Sequence, residues 1–149
     1  GYEHRNIGLE RDAKLGTIST NPENHQKMVL TRQAKIDQVA NQIPLLQVQG
    51  NKDSDTLLVG WGSTEGHLHA AANELGCALA HFNYINPLPK NTEEVLHQYK
   101  RIVVCELNSG QFAAYLRSKI EGMSLEQYNE LTAQPFAVDR IVNFVKNTL

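Results

Sequence analysis

Residues 57–67 constrain the fold most, because an apolar run stops at a glycine-rich turn and a helical pattern begins immediately after it. The turn spans residues 60–66 and carries two hydroxyl side chains, Ser63 and Thr64. Such a turn places backbone N–H groups at a helix N-terminus, where ligands or neighbouring chains meet the carboxyl ends of parallel strands. A second turn of the same design lies at residues 104–111. The two turns predict an α/β sandwich whose working edge is formed by the strand carboxyl ends.

The rest of the pattern alternates predicted strands with predicted helices. Apolar runs predict strands at residues 56–60, 78–85 and 101–105, with a further edge strand at residues 124–131. Helical spacing predicts helices at residues 64–75 and 110–120, a short helix after Asn91, and a final helix built on Val138, Ile141, Val142 and Val145. Because such alternation is typical of parallel crossovers, residues 46–149 are expected to form a three-layer α/β/α sandwich with a mostly parallel sheet of four or five strands.

Local signals mark the ends of these elements. Gly76 fits a left-handed stop at the end of the helix at residues 64–75. Asn91 is a candidate helix cap, and Glu94 stands three residues later in the spacing of a capping box. The stretch at residues 87–89 carries two prolines and predicts a stiff turn.

The N-terminal part has a different character. Residues 1–20 are polar, without a clear period, and are expected to form a loop. A helix is predicted over residues 22–43, with a cap before Pro22 and an end at Pro44. Only a narrow stripe of this helix is apolar, so we expect it to lie on the surface of the domain at residues 46–149 or of a neighbouring domain. Residues 45–55 are expected to be a linker, which divides the chain into parts at 1–45 and 46–149.

Bulk properties exclude several classes of protein. The length of 149 residues suits one domain with an appendage, and the net charge of −2 offers no basic footprint for nucleic acid. No apolar run approaches the roughly 18 residues that a membrane span needs, and the N-terminus lacks a signal-peptide core. The two cysteines, Cys77 and Cys105, are isolated, so they are interpreted as reduced apolar residues of a cytoplasmic protein. A redox-active thiol role is remote, because neither has neighbours that would lower a thiol pKa.

The first turn invites a dinucleotide-binding interpretation, because its glycines would let a pyrophosphate approach the helix N-terminus. Its Gly-x-Gly-x-x-x-Gly spacing only approximates the usual fingerprint, and residues 83–86 carry no acidic residue for a ribose. The favoured alternative is a tight turn in which Ser63 or Thr64 caps the helix. Trp61, within the turn, could belong to the core or anchor an interface.

Three charged or ligand-type side chains follow the first turn. Glu65, His67 and His69 resemble metal ligands, but only Glu65 and His69 share a helix face, so an exposed face is expected. His4 and His25 are expected to be solvated or interface histidines.

The second turn collects a carboxylate and two amides, from Glu106, Asn108 and Gln111. These groups could bind a polar ligand at a helix N-terminus, or fasten the turn with Asn108 or Ser109 as the N-cap. The two turns together give the candidate interface or anion-binding residues: Gly62, Ser63, Thr64, Glu106, Asn108, Gly110 and Gln111. No catalytic residue and no metal ligand is predicted in the chain.

Five stretches of the chain form a further pattern. The N-terminal stretch contributes Gly1, Tyr2, Glu3, His4, Gly8, residues 21–25, Met28, Arg32 and Lys35. The remaining stretches are residues 59–66, 87–89, 106–111 and 134–136. Taken in order, the five stretches resemble the alpha subunits of 2-oxoacid:ferredoxin oxidoreductases, most closely the 2-oxoglutarate type. The resemblance covers nearly the whole chain and places it in the C-terminal portion of such a subunit. It implies the tail of a pyrimidine-type domain, followed by a transketolase C-terminal-like domain.

The resemblance also implies what the complete enzyme does. Enzymes of this family use thiamine diphosphate to decarboxylate a 2-oxoacid, pass electrons through iron–sulfur clusters to ferredoxin, and form an acyl-CoA. The chain has neither a metal-diphosphate motif nor cluster cysteines, so thiamine diphosphate, Mg and iron–sulfur clusters are expected elsewhere in the complex. We expect this portion to bind no cofactor, to be inactive alone, and to serve assembly with other domains and subunits. The alternative is a free-standing nucleotide- or anion-binding α/β module.

Overall fold

A computed structural model describes residues 9–148. The N-terminal family residues up to Gly8, including His4, therefore lie outside the described residues. The chain divides into two compact units at the junction of Ile43 and Pro44.

In the first unit, the part described from Leu9 onward contains one α-helix, α1, which spans Pro22–Val39. Asn21 is its N-cap and accepts a 2.9 Å hydrogen bond from the backbone N–H of Asn24, so the predicted start with proline at the first position is confirmed. The predicted end is wrong: the α-helix stops at Val39, and residues 40–43 continue in tighter turns. This agrees with Pro44, which disfavours helical geometry in the residue before it.

The loop before α1 is folded back on itself and fastened to the helix. Arg11 and Ile18 form an isolated antiparallel bridge. The side chain of Asn24 accepts from the backbone N–H of Ala13 and donates to the carbonyl of Arg11. No residue of α1 is buried, and its apolar side chains at Val29, Leu30, Ile36 and Val39 are exposed.

The second unit is built on a five-stranded sheet with the strand order β1-β3-β2-β4-β5. Its strands are β1 Val48–Gly50, β2 Thr56–Trp61, β3 Ala78–Phe82, β4 Arg101–Glu106 and β5 Glu126–Asn129. Its helices are α2 Glu65–Leu75, α3 Thr92–Leu96, α4 Gln111–Lys119 and α5 Val138–Asn147. Strand β1 pairs antiparallel with β3, whereas all other neighbours are parallel.

Two apolar layers cover the two faces of this sheet, as alternation along each strand requires. Leu57 and Val59 of β2 pack with α3 and α4, through residues such as Leu96 and Leu116. Leu58, between them, faces the opposite layer, where α2 and α5 contribute Leu68, Ala71, Ile141 and Val142. The predicted three-layer α/β/α sandwich with a mostly parallel sheet of four or five strands is therefore confirmed, and the sheet has five strands.

Two strand predictions are wrong in detail. Residues 45–55 are not only a linker, because they contain β1, which adds to the sheet through the backbone of β3. Strand β3 ends at Phe82 and not at Ile85, since its neighbour β2 ends at Trp61, the pairing partner of Phe82.

Asn91 occupies the predicted N-cap position of α3, but its side chain makes no capping hydrogen bond. Its amide instead pairs with the backbone of Leu46, accepting from the N–H at 2.8 Å and donating to the carbonyl at 3.0 Å. The side chain thus ties the segment before β1 to the start of α3. Gly76, by contrast, ends α2 in the predicted left-handed conformation.

Across residues 9–148, none of the helices combines the length and the apolar character that crossing a bilayer would take.

Candidate functional site

The two strand-to-helix turns lie side by side at the carboxyl ends of β2 and β4, which are paired neighbours in the sheet. Together they line a cleft of about 260 Å³. The residues around it are Trp61, Gly62, Ser63, Thr64, Leu107 and Asn108. The structure therefore brings together the predicted residues of the first turn and Asn108 of the second.

Two further clefts adjoin this one. Trp61 also borders a cleft of about 250 Å³, whose other lining residues are Ile85, Asn86, Gln111, Phe112 and Tyr115. Ser63 and Thr64 also border a cleft of about 240 Å³ that reaches residues 133–136. We call the three clefts together the edge groove. Gln111 thus lines the groove in a different cleft from Ser63, and Trp61 borders both of these clefts.

The first turn is held by its own side chains. Thr64 is buried, and its hydroxyl donates a 2.9 Å hydrogen bond to the carbonyl of Trp61. Thr64 occupies the predicted N-cap position of α2, but its hydroxyl makes no capping hydrogen bond to the helix. A Cβ at Gly60 would overlap Leu68 of α2 and lie 2.8 Å from the Thr64 hydroxyl. Gly60 therefore lets α2 pack closely on β2.

Glu106 is the buried charge of the second turn, with no exposed surface. One carboxylate oxygen accepts a 2.8 Å hydrogen bond from the backbone N–H of Phe112, and the other accepts from Ala113 at 2.9 Å. The indole N–H of Trp61 donates to the same carboxylate at 3.4 Å. The carboxylate therefore satisfies the N-terminal N–H groups of α4 and interacts favourably with the helix dipole.

This arrangement limits what the second turn can bind. The N-terminus of α4 is already occupied by an internal anion, and a phosphate placed there would meet like charge. Of the two roles considered for Glu106, ligand binding and stabilisation of the turn, this geometry fits stabilisation of the turn.

Asn108 continues the fastening. Its side-chain oxygen accepts from the backbone N–H groups of Gly110 at 2.8 Å and Gln111 at 3.0 Å. The N-cap of α4 is nevertheless Gly110, with φ of 95°, so the prediction of Asn108 or Ser109 at that position is wrong. A Cβ on Gly110 would overlap the side chain of Gln127, so the position combines a left-handed backbone with close packing.

Trp61 contacts both the apolar core and the edge groove. Its ring is half-buried and lies 6.1 Å from that of Phe112, at a tilted angle. The residue therefore packs on the core while bordering two of the three clefts.

The Glu65, His67 and His69 group is not assembled into a metal centre. His69 pairs with Asn73 at 3.2 Å, and Glu65 instead lies near His81, with 3.9 Å between a carboxylate oxygen and Nδ1. Within residues 9–148, no group of three or more His, Cys, Asp or Glu side chains could hold a metal ion. Sequence reasoning missed His81, since it lies in an apolar strand.

The two thiols are buried and unpaired. Burial raises the pKa of Cys77 to about 11. Burial also raises the pKa of Cys105 well above its usual range, with smaller contributions from the neighbouring Cys77 and Glu106. Both groups therefore stay protonated near neutral pH and lack the thiolate that redox chemistry and metal binding need.

Comparisons with known proteins give a consistent result. No family model matches the chain. It is 40% identical over its whole length to the 2-oxoglutarate oxidoreductase subunit KorA of Mycobacterium tuberculosis, covering 23% of that subunit. It is 28% identical, over 93% of its length, to 2-oxoacid:ferredoxin oxidoreductase 1 subunit alpha of Aeropyrum pernix, again covering 23% of the relative.

A solved structure is similar as well. The 2-oxoglutarate:ferredoxin oxidoreductase of Magnetococcus marinus, with 2-oxoglutarate, coenzyme A and succinyl-CoA bound, superposes with a TM-score of 0.83 at 25% identity. The match covers 97% of this chain and 26% of that one. The chain thus spans about a quarter of the length of the relatives that it matches.

Proposed function

Because this chain is related over its whole length to alpha subunits of 2-oxoacid:ferredoxin oxidoreductases, we propose that it is one portion of such a subunit. The observation that carries the proposal is the 40% identity to KorA, which extends over the entire chain. We assign it to the C-terminal portion: residues 1–45 as the tail of a pyrimidine-type domain or linker, and residues 46–149 as a transketolase C-terminal-like domain.

The complete enzyme would oxidatively decarboxylate a 2-oxoacid to an acyl-CoA and pass the electrons to ferredoxin. The first substrate to test is 2-oxoglutarate, since KorA and the Magnetococcus marinus enzyme carry that substrate in their names. Free thiols at Cys77 and Cys105 agree with a cytoplasmic enzyme.

The cysteines of this portion do not fit an iron–sulfur cluster. Such a cluster takes about four cysteine thiolates, and this chain has two cysteines, both buried with raised pKa values. We therefore place the clusters on other parts of the complex. We place thiamine diphosphate and Mg there as well, because residues 9–148 hold no group of three or more His, Cys, Asp or Glu side chains suited to a metal ion, and propose that this portion binds none of these cofactors. It would not turn over substrate alone.

Assembly is the proposed role of this portion. The edge groove has apolar and aromatic walls at Trp61, Phe112 and Tyr115, with polar groups from Ser63 and Asn108 beside them. Apolar centres with polar borders are typical of protein interfaces. The exposed apolar side chains of α1 offer a second such surface. Partners would be the remaining domains and subunits of the same oxidoreductase, and ferredoxin and CoA would be reached only through the complex.

The free-standing nucleotide- or anion-binding module is the competing hypothesis. Glu106 opposes it, because its carboxylate fills the N-terminus of α4 and would repel a phosphate. Calorimetry with ATP, ADP and CoA tests it on the isolated chain. We expect no saturable binding at micromolar concentrations, and saturable binding would favour the module.

Assembly can be tested in a complete alpha subunit that carries this portion. Ser63→Arg places a long cation in the edge groove, whereas Ser124→Arg places one at an exposed serine before β5 as the matched control. We expect Ser63→Arg to weaken co-purification with the partner subunits and the control to leave it unchanged. Equal assembly by both variants would argue against an interface at the groove.

A further inference from the structure

A further cavity lies beside the edge strand β1 and its neighbour β3, and its lining residues are distinct from those of the edge groove. It measures about 270 Å³ and is lined by Gln47, Gln49, Glu65, His81 and Asn83, together with apolar groups from Leu45, Leu46, Tyr84 and two prolines. Nothing in the proposed assembly role accounts for this cavity or for its polar groups.

The most unusual residue in its wall is His81. Its side chain is only 2% exposed, yet neither ring nitrogen has a hydrogen-bond partner. Buried polar groups in folded proteins nearly always have partners, so the unpaired ring nitrogens of His81 require a water molecule or an ion in the cavity. His81 follows Ala80 in β3, with no sequence signal that marks it as functional.

Glu65 faces this imidazole from the first position of α2. One of its oxygens lies 3.9 Å from Nδ1 of His81, which is too far for a hydrogen bond. The other oxygen accepts a 3.3 Å hydrogen bond from the side-chain amide of Gln49 on β1. Gln49 thus orients the carboxylate and leaves the oxygen nearer to His81 free. This is how an outer partner supports a metal-binding carboxylate.

The gap between the two groups is wider than the roughly 3.4 Å that separates two ligand atoms on a tetrahedral zinc ion, so the exposed Glu65 carboxylate would have to move about 0.5 Å closer. Zinc binds imidazole nitrogen at about 2.0–2.1 Å and carboxylate oxygen at about 2.0–2.2 Å. After this movement one ion could contact both atoms with a tetrahedral N–metal–O angle. Imidazole and carboxylate together suit divalent transition metals such as Zn²⁺ or Co²⁺.

The geometry points to a divalent transition-metal site formed by His81 and Glu65, supported by Gln49. With two protein ligands, the remaining coordination positions go to water in the cavity. Such an ion would link β1, β3 and α2 at the outer edge of the sheet. This inference is independent of the proposed function.

Titration of the full chain with Co²⁺ and then Zn²⁺, by calorimetry and visible absorption, tests the site. His67→Asn and His69→Asn are combined as the background, because these histidines on the same helix could compete for metal. We expect one ion per chain, and Co²⁺ should broaden the amide NMR signals of residues 80–82. Glu65→Gln should abolish binding, and Gln49→Leu should weaken it about tenfold.

Glu74→Gln is the matched control, since it removes an exposed carboxylate from the same helix. It should leave the affinity unchanged. Absence of Co²⁺ binding at millimolar concentrations would overturn the inference. Binding that survives Glu65→Gln, or broadening centred on other residues, would overturn it as well.

Discussion

The backbone N–H of Phe112 donates a 2.8 Å hydrogen bond to the fully buried carboxylate of Glu106, the last residue of β4. The strand therefore supplies, from its own end, the negative charge that the following helix needs at its start. The second turn resembles a ligand-binding loop in sequence, but this contact shows that its carboxylate stabilises the junction between β4 and α4.

Glu106→Gln should destabilise the protein by about 1–3 kcal/mol, because its NH2 group would face the backbone N–H of Phe112 or Ala113 and the charge near the helix dipole is lost. Urea denaturation measures the change. Glu121→Gln, at an exposed position, is the control and should shift stability by less than about 0.5 kcal/mol. Equal stability of the two variants would contradict the role of Glu106.

Substitutions at Asn91 test whether its side chain stabilises the protein through its hydrogen bonds to Leu46 or by capping α3. Asn91→Ala removes both hydrogen bonds to Leu46 and should cost about 1–3 kcal/mol. Asn91→Asp should also destabilise the protein, since a carboxylate cannot donate to the Leu46 carbonyl. If Asn91 acted mainly as a helix cap, Asp would serve equally well or better. If thermal unfolding shows that Asn91→Asp is neutral or stabilising, the stabilising role of the hydrogen bonds to Leu46 is refuted.

Gly110 and Gly66 can be compared by replacing each with alanine, because only Gly110 has a positive φ. Gly110→Ala should cost about 1–3 kcal/mol, because the position has a positive φ that residues with a Cβ rarely adopt. Gly66→Ala should be neutral or stabilise by up to about 1 kcal/mol, since it lies in α2 with open space around it. Chemical denaturation of both variants measures the difference. Similar costs at the two positions would mean that the backbone at Gly110 is not constrained as described.

The ion pair between Glu10 and Arg32 in the first unit should be sensitive to acid. Hydrogen bonds from the Arg32 side chain and from the backbone N–H of Arg11 lower the pKa of Glu10 from 4.5 to about 2. A carboxyl with a lowered folded-state pKa contributes stability above pH 4.5, and this contribution is lost as the pH falls towards 2.

NMR titration of the Glu10 carboxyl measures this pKa directly. Arg32→Gln should raise it towards 4.5, whereas Lys35→Gln, on the same helix, should leave it low. An unchanged Glu10 pKa in Arg32→Gln would show that the ion pair is not responsible.

Periodic segments were predictable because their signal is local. The spacing of Val138, Ile141, Val142 and Val145 predicted the last helix, and three of these four residues are buried against the sheet. The alternation of strands and helices likewise predicted the three layers. These features depend on neighbours within one or two turns, which a sequence displays directly.

Features set by distant partners were missed. Strand β1 is three residues long and exists because the β3 backbone offers it hydrogen bonds. Asn91 has the sequence context of a cap, but its partner, Leu46, lies 45 residues away. The unpaired imidazole of His81 and the carboxylate of Glu65 meet only after the sheet forms. Such contacts depend on tertiary packing and leave no periodic trace in the chain.

The most direct test of the proposed function is 2-oxoglutarate-dependent reduction of ferredoxin, measured with thiamine diphosphate, Mg²⁺ and CoA. We predict no reduction by this chain alone. An oxidoreductase whose alpha subunit lacks this segment should also be inactive, and should regain activity when the segment is restored. Turnover by the chain alone, or full activity of the complex without the segment, would contradict an assembly role in the enzyme.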